Sequence, residues 1–194
     1  MGAVITVATE LAGGWVFRIL RFASSQECEP GDYVQLGFDG CGVSGGMGWN
    51  ITSGDHVNAW VAEKINGVFH PGSVGIGLMR DGVMRAGVMF ENWNGKSVMA
   101  HMAVDGGRLT PAYVAAIFDY AYNVCGVEKV ILPVGSQNLK SQRLVENMGF
   151  MEEGRILDAA PDGDIVIYTM SKPDCRFLGE KYNGKIRTTS ARAA

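Results

Sequence analysis

The sequence predicts an α/β chain: a mixed, largely antiparallel sheet flanked by helices. Three observations carry that reading. Two apolar runs, "VGIGLMR" and "VMRAGVMF", flank Asp81-Gly82, the strongest short hairpin signal. The apolar period changes from two to 3.6 after Thr110-Pro111. Beyond that helix come a buried-strand run, a short helix and two further strand runs. Strands that are first consecutive and then separated by helices fit one sheet covered by helices.

The first 50 residues are glycine-rich, most densely in "GFDGCGVSGGMGWN", and read as loop or sheet edge. "WVFRILRF" (Trp15 to Phe22) is the strand candidate there. "SGGMG" lacks the G-K-[ST] ending of a phosphate loop. The expected domain begins at residue 53. Asp55 caps a helix "HVNAWVAEKI" that stops at Asn66-Gly67. The hairpin about Asp81-Gly82 follows. Asn94-Gly95 then precedes a third strand, "SVMAHMAV". In that run Val98, Ala100, Met102 and Val104 share one face, and Ser97, Met99, His101 and Ala103 the other.

Thr110 is a good N-cap and Pro111 a good first helical residue. Val114, Ile117, Phe118 and Ala121 fall at helical spacing, and Gly126 ends the helix. "VEKVILPV" is a buried strand. A helix from Leu139 to Met148 follows, with Leu144, Val145 and Met148 on one face and Gly149 as its left-handed stop. "FMEEGRIL" and "DIVIYTMS" form a last hairpin about "DAAPDG". Residues 173 to 194 are expected to be a basic, disordered tail.

Composition narrows the function classes. The 194 residues suffice for one domain with a sizeable core. A net charge of -3 gives no reason to expect nucleic acid. No apolar run approaches the roughly 20 residues of a membrane span. No secretion signal is evident, and four scattered cysteines without a C-x-x-C pair fit a reducing cytoplasm. The three histidines form no metal-ligand pattern, so no metal is expected. "GIGLMRDG" runs into a hairpin, which argues against a dinucleotide site.

Asn138 to Phe150, N-x-x-S-x-x-L-V-E-N-M-G-F, resembles the "N-x-x-A-x-x-x-Y-E-K-x-G-F" signature of the GNAT family of acetyl-CoA-dependent N-acetyltransferases. "SVMAHMAV" followed by "DG" looks like that family's fourth strand and its exit, and the order of elements agrees. The "D-x-x-P-D-G-D" hairpin is most similar to small acetyltransferases of tailed phages. The resemblance covers residues 53 to 172. It implies acetyl-CoA as co-substrate and a primary amine as acceptor. It also implies a sheet whose fourth and fifth strands, here Ser97 to Val104 and Val127 to Val134, splay apart around the cofactor's pantetheine arm.

By position, the resemblance places the oxyanion donor among the backbone N–H groups of Met102, Ala103 and Val104. Gly106, Gly107, Arg108, Leu109 and Thr110 would hold the pyrophosphate at a helix N-terminus, and Asn138 would tie down the arm or the strand end. Two family features are replaced. Val145 stands where many members carry an acid tyrosine, and Pro133 where some carry a base glutamate. His101, Glu91 and Ser141 are the candidate substitutes, with Tyr168 behind them. Without a strong base, an α-amine of pKa about 8 should be a better acceptor than a lysine amine of about 10.4. The alternative is a weak or inactive GNAT-like domain serving as a binding or structural component, within a phage particle or a homo-oligomer.

Overall fold

A computed structural model describes residues 4–11, 14–21, 48–106, 108–179 and 182, the first two segments as backbone only. Strands β1 (Val4–Leu11) and β2 (Gly14–Arg21) pair antiparallel as a two-stranded sheet. β2 matches the strand expected at "WVFRILRF"; β1 was not foreseen. The glycine-rich stretch before Gly48, with Cys28 and Cys41, lies outside the described residues.

The main sheet has seven strands in the order β3-β4-β5-β6-β7-β9-β8. These are β3 (Trp49–Ser53), β4 (Val74–Arg80), β5 (Val83–Glu91), β6 (Ser97–Val104), β7 (Lys129–Gly135), β8 (Met151–Ala160) and β9 (Gly163–Ser171). Every neighbouring pair is antiparallel except β6 and β7. The first strand of this sheet thus begins at Trp49, before residue 53. β3 was not foreseen, because its five residues follow directly on a glycine-rich run.

Helix α1 (Asp55–Ile65) packs on one face of β4, β5 and β6 through Val57 and Val61, which meet Met89 and Ala103. Its N-cap is Gly54 at φ 127°, and Asp55 is the first helical residue, where it accepts from Asn58 Nδ2 at 3.3 Å. The expected Asp55 cap is therefore shifted by one position: the chain enters from β3 with a φ that glycine adopts freely. The helix approaches the sheet so closely that a Cβ on Gly75 would lie 2.8 Å from Val57 Cβ and 2.9 Å from the Asn58 backbone nitrogen. Asn66 in the left-handed conformation ends the helix as expected.

The hairpin turn has Asp81 at φ 54° and Gly82 at φ 78°, positive at both central positions as a tight strand-to-strand turn requires. Helix α2 (Pro111–Asp119) is capped by Thr110, whose Oγ1 accepts from Tyr113 N–H, with Pro111 at its first position. One wider π turn, Tyr120–Val124, extends it to Gly126. Helix α3 (Leu139–Met148) ends at Gly149 with φ 103°.

α2 and α3 cover the opposite face of the sheet from α1. Their core contains Val98, Ala100, Phe118, Val130, Leu132, Val145, Phe150 and Tyr168. Two buried tyrosines fasten α2 and the π turn after it to backbone carbonyls: Tyr113 donates to Ile76 O at 2.9 Å and Tyr122 to Met170 O at 2.7 Å. The folded unit also runs past residue 172. Short 3-10 turns at Lys172–Asp174 and Arg176–Leu178 bring buried Cys175 and Phe177 onto α2, with Phe177 stacked on Phe118 at 5.0 Å. The tail expected from residue 173 therefore does not begin there; residues 183–194 lie outside the described residues.

Candidate active site

The feature that the resemblance required is present. β6 and β7 pair over Ser97↔Lys129, Val98↔Val130 and Met99↔Ile131, and the ladder stops there, although β6 continues to Val104 and β7 to Gly135. On its other side β6 stays paired with β5 as far as Ala86↔Val104. The two central strands thus open into a wedge toward their C-terminal ends.

Strand geometry decides which backbone groups face that opening. Asp105 N–H donates to Arg85 O on the β5 side, whereas Lys96 O accepts from Lys129 N–H on the β7 side. Successive residues of a strand present their N–H and C=O to opposite edges. Met102 and Val104 therefore direct N–H and C=O into the opening, and Ala100 directs its C=O there. Ala103, named with them from the sequence, directs its N–H to β5 instead, because it shares the parity of Asp105. Polar groups left open in this way need a ligand or water.

Two sequence candidates meet on the α1 face. His101 Nε2 lies 2.9 Å from Glu91 Oε1, with side-chain exposures of 19% and 14%. The pair is diagonal across the strands, since Glu91 sits opposite Met99 and His101 opposite Met89. Glu91 is the last residue of β5 and not a solvated loop residue. Its Oε2 is buried without a hydrogen-bond partner. When His101 Nε2–H donates to Glu91 Oε1, Nδ1 is the lone pair left to accept a proton.

The remaining candidates stand apart from this pair. Ser141 is in the first turn of α3, where its N–H donates to Asn138 Oδ1 at 3.1 Å, and it makes no hydrogen bond to His101 or Glu91. The Asn138 oxygen is thereby taken up as the N-cap of α3, leaving the Nδ2 side for a ligand. Val145 is buried in the α2-side core and carries no proton to give. Tyr168 donates to Glu146 Oε1 at 2.9 Å; burial, and then the Glu146 carboxylate, push its pKa up to about 12, so it keeps its proton through neutral pH. Trp93 is 59% exposed, and its Nε1–H donates to Cys125 O at 3.1 Å, tying the β5–β6 loop to the end of α2.

At the expected phosphate turn, Gly106 has φ 60° and open space around its Cα. Gly107 lies outside the described residues. Arg108 is exposed, and Leu109 packs on the core. Thr110 caps α2, so of the first helical N–H groups that of Ala112 stays free of the cap while Pro111 has none. Asp105 is ion-paired with Lys64 at 2.6 Å, and that hydrogen bond holds its carboxyl below the usual range. The pair takes up the negative charge beside the turn. Sequence reasoning did not find Lys64, because its partner is 41 residues away.

No protein-family model matches the chain, and no curated protein matches it. Solved structures do. A provisionally assigned acetyltransferase from T. thermophilus superimposes with a TM-score of 0.50 at 18% identity, over 66% of this chain and 73% of that one. A second provisionally assigned acetyltransferase gives 0.50 at 18%, over 66% and 86%. The ribosomal-protein-S5-alanine acetyltransferase of Vibrio fischeri gives 0.47 at 13%, over 54% of this chain and 64% of its own length, less than two thirds. Seven mostly antiparallel strands, a single parallel junction that opens, and helices on both faces are the fold of the GNAT N-acetyltransferases.

Proposed function

We propose that this chain transfers the acetyl group of acetyl-CoA to a primary amine. The observation that carries the proposal is the opening between β6 and β7, with unpaired backbone groups of Met102 and Val104 along one wall and the His101–Glu91 pair on the same strand system. The thioester arm lies in the opening as a substitute strand. A Met102 or Val104 N–H supports the charge developing on the carbonyl oxygen, a contribution of about 3–4 kcal/mol. Holding amine and thioester together contributes about 7–11 kcal/mol more.

His101 accepts the amine's proton at Nδ1, and Glu91 stabilises the resulting imidazolium. The neutral amine attacks the thioester carbon, the carbon–sulfur bond breaks, and the proton that the attacking nitrogen must still lose passes to the departing thiolate. Ser141, four residues before Val145 and so on the same face of α3, is the hydroxyl that this helix offers to relay that proton from nitrogen to sulfur, regaining one as it gives one. The turn at Gly106 to Thr110, with Gly107 and Arg108, holds the pyrophosphate, and Asn138 Nδ2 reaches the arm. A histidine base favours an α-amine or another amine of low pKa as acceptor.

A second reading is favoured by the burial of Val145: a domain that binds acetyl-CoA without turning it over and serves as a binding or structural component. One titration separates the readings. Acetyl-CoA at 100 times its dissociation constant should raise stability by about 2.7 kcal/mol. The same samples, assayed for thiol release with N-terminal and lysine peptides, should show turnover that favours the former. No thermal shift would sink both readings; a shift without turnover would leave the second.

A further inference from the structure

We infer that Pro133 is the residue that holds β6 and β7 apart. The inference rests on the proposed function only where it concerns the cofactor. β7 is an interior strand, between β6 and β9. Proline inside a sheet is ordinarily confined to edges and bulges, because it removes a ladder donor. Here neither neighbouring register is disturbed. β5 and β6 pair without a shift from Ala86↔Val104 to Glu91↔Met99, and β7 and β9 pair without a shift from Lys129↔Ser171 to Gly135↔Ile165, through Pro133↔Ile167. The divergence therefore does not come from a bulge in β6, and β9 does not feel the proline.

The parity of β7 explains why. Glu128 O accepts from Lys172 N–H, and Ser136 N–H donates to Asp164 O, so even-numbered residues face β9. Odd-numbered residues, Lys129, Ile131 and Pro133, face β6. A parallel ladder alternates donors between the strands. From Lys129 N–H on Lys96 O the series runs Val98 N–H to Lys129 O, Ile131 N–H to Val98 O, and Ala100 N–H to Ile131 O. The next bond needs an N–H on residue 133 directed at Ala100 O. Proline has none, and the observed pairing ends at Met99↔Ile131, one step before it. Beyond that point the chain is already held elsewhere: Gly135 O accepts from Asn138 N–H at 2.9 Å and Gln142 Nε2 at 3.0 Å. Pro133 is thus a positioning residue. It leaves β9 pairing intact, denies β6 its next partner, and keeps Ala100 O, Met102 and Val104 open.

The test uses Pro133→Ala and Pro133→Val in the full chain, each restoring an N–H. Amide exchange followed by NMR should show the residue-133 amide protected to the degree of Ile131. Without ligand, both variants should melt higher than the parent, opposite to the effect of losing a merely structural proline. CoA must then break the new bond, so its dissociation constant should rise about 2- to 10-fold. A residue-133 amide that exchanges as fast as that of the turn residue Gly82, in both variants, overturns the inference. If the amide is protected but the parent chain binds no CoA, Pro133 stands as the spacer and the cofactor reading falls.

Discussion

Replacing His101 with glutamine is expected to lower acetyl transfer by about 10²–10⁴-fold, the usual effect of losing a positioned base. Glutamine can still offer an N–H to Glu91 but accepts no proton, so stability should change far less than rate. Removing the side chain altogether, as in His101→Ala, would also leave Glu91 Oε1 without its partner beside the already unpaired Oε2. That desolvated carboxylate adds about 1–3 kcal/mol of instability and would confuse the result. Glu91→Gln keeps the geometry and removes the charge, so a smaller fall in kcat is expected. Thiol release at saturating acetyl-CoA gives the rates, and chemical denaturation gives the stabilities. If His101→Gln stays within threefold of the parent, His101 is a strand histidine and not the base.

The largest stability effect is expected at Phe118. Truncation to alanine should cost about 3–5 kcal/mol, as for buried aromatic side chains generally. Phe118 joins three parts of the chain that are remote in sequence. Its ring stacks on Phe177 at 5.0 Å with 5° between planes, lies 6.1 Å from Tyr122, and lies 6.1 Å from Phe150, the residue after the α3 stop. Each well-placed aromatic pair adds about 0.5–1.5 kcal/mol beyond burial. Phe177 in turn meets Tyr182 at 5.2 Å. Urea denaturation of Phe118→Ala and Phe177→Ala, singly and together, should show losses that do not add, because the two rings share one contact. A loss under about 1 kcal/mol for Phe118→Ala would mean that the C-terminal turn is not docked on α2.

Most of the regular structure was legible because it is written in local rules. The turn Asp81-Gly82, the Thr110-Pro111 start and the Gly149 stop each act within a few residues, and the structure places all three as expected. Where a rule competes with context, the reading slipped. Asp55 is a good cap by type, but the chain reaches α1 through Gly54, which takes the cap position. β3 carries too little pattern beside glycine-rich sequence to stand out, whereas β1, VITVATEL, alternates with β-branched residues as a strand does.

The sequence names candidate residues but not their partnerships. His101 and Glu91 were separate candidates; a hairpin register one cannot fix from composition brings them to 2.9 Å. Ala103 was grouped with Met102 and Val104 because the sequence does not tell which edge of β6 meets β5. The opening, expected from the resemblance, also has a signal in the residues themselves. "VILPV" carries a proline in a run too apolar for a sheet edge, and that contradiction pointed to a strand paired fully on one side only.

The seven-stranded sheet is two antiparallel blocks, β3 to β6 and β7 to β9, sewn together by three residue pairs at one end. Away from the seam the blocks are joined by α2 and the turn that extends it, through Tyr113 on β4 and Tyr122 on β9, and the sheet itself is unstitched near Val104 and Gly135. An occupant bonded to both free margins would act as a brace, setting the angle between the blocks and thereby the distance from His101 to anything lying along β7.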